Sequence, residues 1–441
     1  MYKRSKFNVE IDTLEDGQLL IYNTYSGIFG IMDLKTQELY RTIESVDIDS
    51  ISDREIKANT MTMLNSGYIV DCYKDELGTV KLERAKAQYG RNELTLTIAP
   101  TMGCNMRCPY CFESKNGKSM TPEIQSKVID FVETHLNANS NISSLIISWY
   151  GGEPLLQKKV IYALSEKLIK VCNKRNVRYG ASVITNGALL DEETAKKLVH
   201  DCKVRQVQIT IDGMPENHNK RRIFSDGTGS FDIIVKNIEA CRDFLPIAVR
   251  VNVDQSNLAD IEPLTKYLLE EKGWKDNPRI YIAPVTSYDE TCKNSACLQM
   301  EHFADAKRNF QKTLFSYDRD LVKSSFFPRR KAVFCGGECI SNYVIDPEGY
   351  IYNCWVVIGE KERASGHISK PFLINSEYYK WLSDDLPKQC EECEYLPMCM
   401  GGCPYFRITH NGKPNCAHTR YSYKDTLRLA YEDYMIQKNK K

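Results

Sequence analysis

Between residues 94 and 282, apolar runs of strand length alternate with stretches whose apolar positions recur every three or four residues. The strand-like runs cover 94–99, 144–149, 180–184, 206–211, 247–253 and 279–282. Amphipathic helical patterns lie at 122–135, 159–174, 192–201, 231–244 and 261–271, with another at 300–317. Repeated βα units imply a parallel sheet with right-handed crossovers. Six units predict an α/β core shaped as a partial (β/α)6 TIM-like barrel rather than a closed eight-stranded one.

The flanks have other rhythms. Residues 7–11, 18–22 and 27–32 are short strand-like runs separated by Glu15-Asp16-Gly17 and Tyr25-Ser26-Gly27. Residues 34–45 and 53–65 read as helices, Gly67 stops the second, and Tyr68-Ile69-Val70 returns as a strand. This predicts a winged-helix-like α+β module at 1–80, a charged linker at 81–93 and the barrel at 94–322. From about residue 325 the helical rhythm fades, and Gly, Pro and Cys punctuate short segments as far as Cys416. Such a region has little apolar core of its own and needs covalent or metal staples. A Cys-rich domain is therefore expected at 323–441, closed by a helix at 423–437.

A length of 441 residues fits several domains. The net charge of +1 offers no electrostatic footprint for nucleic acid or an anionic membrane. There is no apolar run long enough to span a bilayer, and the basic start is followed by polar and acidic residues. Neither a membrane span nor a signal peptide is expected, and the cytoplasm is the expected compartment. Seventeen cysteines without an export signal point to metal or cluster ligation rather than disulfides.

Cys104, Cys108 and Cys111 form C-x3-C-x2-C just after the first barrel strand, at the rim where β/α barrels build active sites. Three thiolates can hold three irons of a four-iron cluster and leave the fourth open. A structural zinc site is the alternative, with unusual spacing. One βα unit later comes Tyr150-Gly151-Gly152-Glu153-Pro154, whose glycines would let backbone groups approach a ligand.

The triplet, with the aromatic Tyr110 before its last Cys, resembles the signature of the radical S-adenosylmethionine (radical SAM) superfamily. Gly151-Gly152-Glu153-Pro154 looks like that family's methionine-binding turn. The resemblance covers about residues 94–320. It implies that the open iron chelates the amino and carboxylate groups of SAM, and that one electron splits SAM into methionine and a 5′-deoxyadenosyl radical. It also implies SAM contacts from Tyr110, Gly151, Gly152, Glu153 and Pro154. Three more would come from Asn186 in Thr185-Asn186-Gly187, Thr210 in Thr210-Ile211-Asp212-Gly213, and Arg222 in His218-Asn219-Lys220-Arg221-Arg222. Arg222 would be a bidentate partner of the SAM carboxylate. His218 could equally be a packed loop residue, and Asp212 could simply orient its turn.

Downstream, Cys335, Cys339, Gly349-x4-Cys354, Cys390-x2-Cys393-x5-Cys399-x3-Cys403 and Cys416 are similar to the SPASM extension of peptide-modifying radical SAM enzymes. A zinc ribbon is the alternative. The resemblance implies two auxiliary [4Fe-4S] clusters, three in all. Cys335, Cys339, Cys354 and Cys403 would hold the first, and Cys390, Cys393, Cys399 and Cys416 the second. If Cys335 or Cys339 is unused, the first would keep an open iron for a substrate thiolate. Of the remaining cysteines, Cys172, Cys202 and Cys241 fit helical cores, while Cys292 and Cys297 share a loop.

Leu19-Leu20-Ile21-Tyr22-Asn23, residues 27–32 and Leu64-Asn65-Ser66-Gly67-Tyr68-Ile69-Val70 resemble the recognition element fused to maturases of ribosomally made peptides (RiPPs). That implies leader-peptide binding by strand addition. Together the resemblances imply a maturase that cross-links a precursor peptide through a thioether or carbon–carbon bond, fed by a flavodoxin- or ferredoxin-type electron donor. Two other functions are open. Anaerobic sulfatase-maturating enzymes share the architecture but carry an Asp as base directly after the Cys of Gly-x4-Cys, where this chain has Trp355. A non-catalytic zinc-binding protein is the third. No residue stands out as a catalytic base.

Overall fold

The computed structural model describes residues 1–47, 51–90, 92–113, 117–288, 296–370 and 375–439. The chain forms two compact units. The first comprises residues 1–89, 300–335 and 384–441; the second, residues 90–299 and 336–383, is here called the sheet unit. These units cut across the expected boundaries at 80 and 323.

In the first unit, β1 (Tyr2–Arg4) pairs antiparallel with β5 (Ile69–Asp71). β2 (Asn8–Thr13), β3 (Leu19–Asn23) and β4 (Ile28–Met32) form an antiparallel sheet in that order. Helices Leu34–Thr42 and Arg54–Ser66 start at Asp33 and Asp53; Asp53 accepts from the amides of Glu55 (2.8 Å) and Ile56 (3.2 Å), satisfying donors a helix start leaves open.

β3 is buried at all five positions, and its alternation explains why. Leu19 and Ile21 pack with Tyr40, Met63 and Tyr68 of the N-terminal segment. Leu20 and Tyr22, on the other face, pack with Val9, Ile11, Met398, Tyr423 and Leu427. The Tyr22 and Tyr423 rings meet edge-on at 5.3 Å. The Cys-rich segment thus draws apolar core from β3.

Helix Glu76–Tyr89 runs into the span expected as a charged linker, 81–93. Its buried positions, Glu76, Val80, Arg84 and Gln88, are four apart and share one face. Three of the four are polar, so no apolar period marks the helix. Nearby, Arg407 is fully buried and donates through Nε to Asp384 (2.8 Å) and through Nη1 to the carbonyl of Met400 (3.1 Å).

The sheet unit holds six parallel strands in sequence order: β6 (Glu93–Ile98), β7 (Ser144–Trp149), β8 (Arg178–Thr185), β9 (Val204–Thr210), β10 (Ile247–Val253) and β11 (Arg279–Pro284). Helices including Pro122–Ala138, Lys158–Lys174, Glu192–His200 and Phe231–Cys241 lie between them in the chain. Three further strands extend the sheet past β6. β12 (Asn342–Ile345) joins β6 in parallel, then β13 (Tyr350–Tyr352) and β14 (Gly366–His367) follow antiparallel. The sheet is α/β in character, nine-stranded, mostly parallel and open. The last three strands have two to four residues, too few to show alternation in sequence.

Register brings the C-terminal ends of the central strands together. Ile98 pairs with Trp149, Thr185 with Ile209 and Thr210 with Arg250, so the loops that follow leave from one edge. Among the described residues, no helix is long and apolar enough to cross a membrane.

Removing the carboxylate from the Arg407–Asp384 pair leaves a buried, uncompensated guanidinium. Asp384→Ala is expected to lower stability by about 3–5 kcal/mol, read from urea unfolding; a loss inside the scatter of surface substitutions would show that the pair is not structural.

Candidate active site

The cysteine loop leaves β6 and is clamped to the turn after β7 by backbone bonds. Gly152 N donates to Thr101 O (3.2 Å) and Glu153 N to Gly103 O (2.9 Å). Gly151 has φ +110°, where a side chain is strained. A Cβ on it would run into the carbonyl oxygen of Thr101, and one on Gly152 would come within 2.6 Å of that of Met102. The two glycines therefore admit the backbone of the cysteine loop, not only a ligand as the sequence suggested.

Glu153 is fully buried. Its carboxylate accepts from Leu155 N (3.0 Å), Thr185 Oγ1 (2.6 Å) and Asn186 N (2.7 Å). Burial raises its pKa and these bonds oppose the rise. Its oxygens are thus spent on tying the turn after β7 to the end of β8. Asn186 Nδ2 then donates to Asn105 Oδ1 (2.7 Å), inside the cysteine loop.

A cavity of about 260 Å³ opens over these loops. Cys104, Cys108 and Cys111 all line it, as do Tyr110, Gly151 and Gly152. Asn186, Thr210 and Arg222 line it too; Glu153 and Pro154 do not. Lining residues that the sequence did not single out include, from β9 and β10, Gln208, Arg250 and Asn252. Their signal was present, since polar side chains at every second position are out of place in a parallel strand covered on both faces. Tyr150 and Trp355 line the cavity as a stacked pair, centroids 5.4 Å apart. Phe112 and Tyr288 form an edge-on pair at 5.3 Å.

Beneath the lining lies a charged network. Arg222 Nη1 donates to Tyr110 Oη (2.8 Å), and Tyr110 in turn donates to the fully buried Asp212. Asp212 also accepts from Asn252 N (2.8 Å). Burial pushes the Tyr110 pKa well above its ordinary value, so it stays a donor. The neighbouring Arg221 does a different job: its Nη1 reaches both oxygens of Asp254 (2.9 and 2.8 Å) and its guanidinium lies 4.9 Å from the Tyr110 ring. The Nε of Arg222 is buried and has no hydrogen-bond partner among the described residues.

His218 belongs to the scaffold. Its Nδ1 accepts from Asp212 N (3.2 Å), so Nε2 carries the proton and donates to Ser230 Oγ (3.0 Å). Ser230 Oγ donates onward to Arg222 O (2.5 Å). Burial, with the charges of Arg222 and Arg221, holds its pKa well below the imidazole norm.

The region of the cavity has a recognisable relation to known proteins. Residues 98–268 match the Radical SAM superfamily. That stretch of the sheet unit is similar to a radical SAM domain. The chain is similar to the cysteine-type anaerobic sulfatase-maturating enzyme of Clostridium perfringens, 25% identical over 375 residues, 77% of this chain and 96% of that protein. Over a shorter stretch it is similar to the probable GTP 3′,8-cyclase of Methanocaldococcus jannaschii, 29% identical over 187 residues, 41% of this chain and 57% of that one. Among solved structures, anSMEcpe with bound AdoMet and Cp18Cys peptide has a TM-score of 0.60 at 22% identity, covering 79% of this chain and 100% of that one. Streptococcus suis SuiB bound to precursor peptide SuiA has a TM-score of 0.52 at 16% identity, covering 95% and 99%. Both are likenesses of fold.

The donor set of the radical SAM domain fits a cluster with SAM: three thiols and a buried cation line one cavity. Among the described residues, no group of Cys, His, Asp or Glu converges to hold a single metal ion. Ligands of a multi-iron cluster bind separate irons and need not converge.

Of the later cysteines, Cys390 is buried, and its thiol is pushed up to about 11 by burial and then by the charges of Cys399, Cys393 and Cys416. Those three cysteines thus lie within electrostatic reach of Cys390 in the first unit. Cys335 and Cys403 belong to the first unit, Cys339 and Cys354 to the sheet unit. In the sheet unit, Asn353 Nδ2 donates to Gly337 O (3.3 Å), tying the segment before Cys354 to that before Cys339. Cys172, Cys202 and Cys241 are buried; Cys292 lies outside the described residues.

Unfolded His218 takes up a proton below about pH 6.5, whereas folded His218 resists it. The unfolded state therefore binds more protons in that range, and stability falls as pH drops through it. His218→Gln is expected to flatten the fall in midpoint temperature between pH 7.5 and 5.5, compared with the parent protein; an unchanged slope would remove His218 as its source.

Proposed function

We propose that this protein is a radical SAM peptide maturase that removes hydrogen from a ribosomally made precursor peptide and closes an intramolecular cross-link, either a thioether or a carbon–carbon bond. Cys104, Cys108 and Cys111 would hold the SAM-binding [4Fe-4S] cluster. Bound there, cluster and SAM would supply a 5′-deoxyadenosyl radical.

The chain's own groups do the rest. Arg222, kept charged between Tyr110 and Asp212, would meet the SAM carboxylate, with Asn186 and Thr210 as further polar contacts. Glu153 acts one step back by fixing the Asn186 backbone. The aromatic pairs would screen the radical from water. Cys335, Cys339, Cys354 and Cys403 would hold one auxiliary cluster, and Cys390, Cys393, Cys399 and Cys416 another. The module at the N-terminus would take the leader peptide, and a flavodoxin- or ferredoxin-type protein would deliver electrons.

The observation that carries this reading is Trp355. It follows Cys354, lines the cavity and stacks on Tyr150, at the position where sulfatase-maturating enzymes resemble one another in placing an acid. The likeness to the fold of SuiB, solved with its precursor peptide, covers 95% of this chain against 79% for anSMEcpe, which also supports it. The second reading, maturation of a sulfatase Cys or Ser to formylglycine, is favoured by the Clostridium perfringens relative, 96% of whose length is matched.

The reconstituted, reduced protein should form 5′-deoxyadenosine from SAM, and Cys104→Ala should reduce it to background. With a precursor peptide encoded nearby, mass spectrometry should find a product lacking two hydrogens and carrying a new internal bond. Formylglycine in a sulfatase-type peptide, with the precursor left unchanged, would move the assignment to the second reading.

A further inference from the structure

We propose that the first unit carries a docking pocket for an acidic segment of a polypeptide. A cavity of about 600 Å³ is bounded by the turn between β3 and β4 and by the segment that ends helix Asp320–Phe326. Among the described residues, three cations line it, Lys323, Arg329 and Arg330, and no carboxylate does. In a chain whose net charge is only +1, this is a local concentration of positive charge.

The pocket is held in shape from behind. Tyr22, buried throughout, donates from its hydroxyl to Pro328 O (3.2 Å), and its ring lies parallel to that of Phe327 with centroids 6.5 Å apart. Glu83 accepts from the Tyr25 hydroxyl (2.9 Å) and pairs with Arg330 (3.4 Å), which holds the guanidinium 4.3 Å from the Tyr25 ring. Glu83 thus orients Arg330 from outside the lining. The ion pair of Lys323 is with Asp320 on its own exposed helix face, and such surface pairs compete weakly with a bound anion.

The positive surface continues beyond Tyr25. Lys74 lies 5.7 Å from the same ring, and with Lys3, Arg4 and Lys6 it borders a second cavity of about 450 Å³. Of the two carboxylates there, Glu76 is buried and already accepts from Ser5 Oγ (2.5 Å) and Lys6 N (3.1 Å).

Two features favour a polypeptide over a nucleic acid. Single strands bind on a series of open ring faces, but Tyr22 is buried and Tyr25 is covered by cations, which among the described residues leaves Phe327, 43% exposed, as the one lining ring with substantial exposure. One apolar side chain among acidic neighbours matches that layout. In addition, β4 begins at Ile28, next to the lining residue Gly27, and lies at the edge of its sheet, where an extended chain can find backbone partners.

The test is fluorescence anisotropy on the full-length protein with a labelled Glu/Asp-rich peptide carrying one Phe. Binding should weaken with added salt, and the same peptide with Lys in place of its acids should bind at least about tenfold more weakly. Lys323→Glu combined with Arg329→Glu should cost about tenfold or more with the circular dichroism spectrum unchanged. Retained affinity in that double variant, or equal binding of acidic and basic peptides, would overturn the pocket. Displacement of the peptide by an equal concentration of a single-stranded oligonucleotide would overturn the choice of polypeptide. The readout needs neither SAM nor turnover, so it stands or falls apart from the substrate reading above.

Discussion

Two backbone hydrogen bonds between the cysteine loop and the turn after β7 are the constraint on which the site depends. They bring carbonyls of residues 101–103 so close that no side chain fits at 151 or 152. Once that approach is fixed, Glu153 must turn inward, and its carboxylate is fully used by Leu155, Thr185 and Asn186. Asn186 then closes the circuit by bonding Asn105 in the same loop. Three strand ends are thereby coupled through short bonds, and the position of each cysteine follows from backbone geometry rather than from side-chain packing alone.

A second circuit governs charge. Arg221 and Arg222 are adjacent at the end of helix Pro215–Arg221, yet successive helical side chains point about 100° apart. One is locked to Asp254 and the other lines the cavity. Asp212 and Asp254 balance the two cations, and Tyr110 bridges Arg222 to Asp212 without becoming charged. A neutral His218, held by Asp212 and Ser230, fixes the turn that carries both arginines. The site can therefore present one positive group to a ligand without leaving an unbalanced charge in the protein.

Much of this was legible in the chain. The six central strands and their helices follow the period of apolar positions, and their bounds differ from the observed ones by a few residues. The triplet of cysteines stood out by type and spacing, Asn186, Thr210 and Arg222 by resemblance to the radical SAM superfamily, and all of them line one cavity. Elements that lack a period were not legible: β1, β12, β13 and β14 are too short, and helix Glu76–Tyr89 buries mostly polar side chains. The partners of Glu153 were not legible, because sequence shows a carboxylate but not where its bonds go. The stacking of Tyr150 on Trp355 joins positions far apart in the chain, which only the β12–β13 extension of the sheet makes neighbours.

β3 has an apolar residue on each of its two faces at successive positions, one set for its own helices and one for residues near the C-terminus. The opening segment is thus not a cassette that could be cut away or exchanged freely. A donor segment from another protein would have to bring matching shapes for Met398, Tyr423 and Leu427, and a truncated chain would expose them to solvent as a sticky apolar surface. Whatever role the first residues have, they share an apolar core with the cysteine-rich tail.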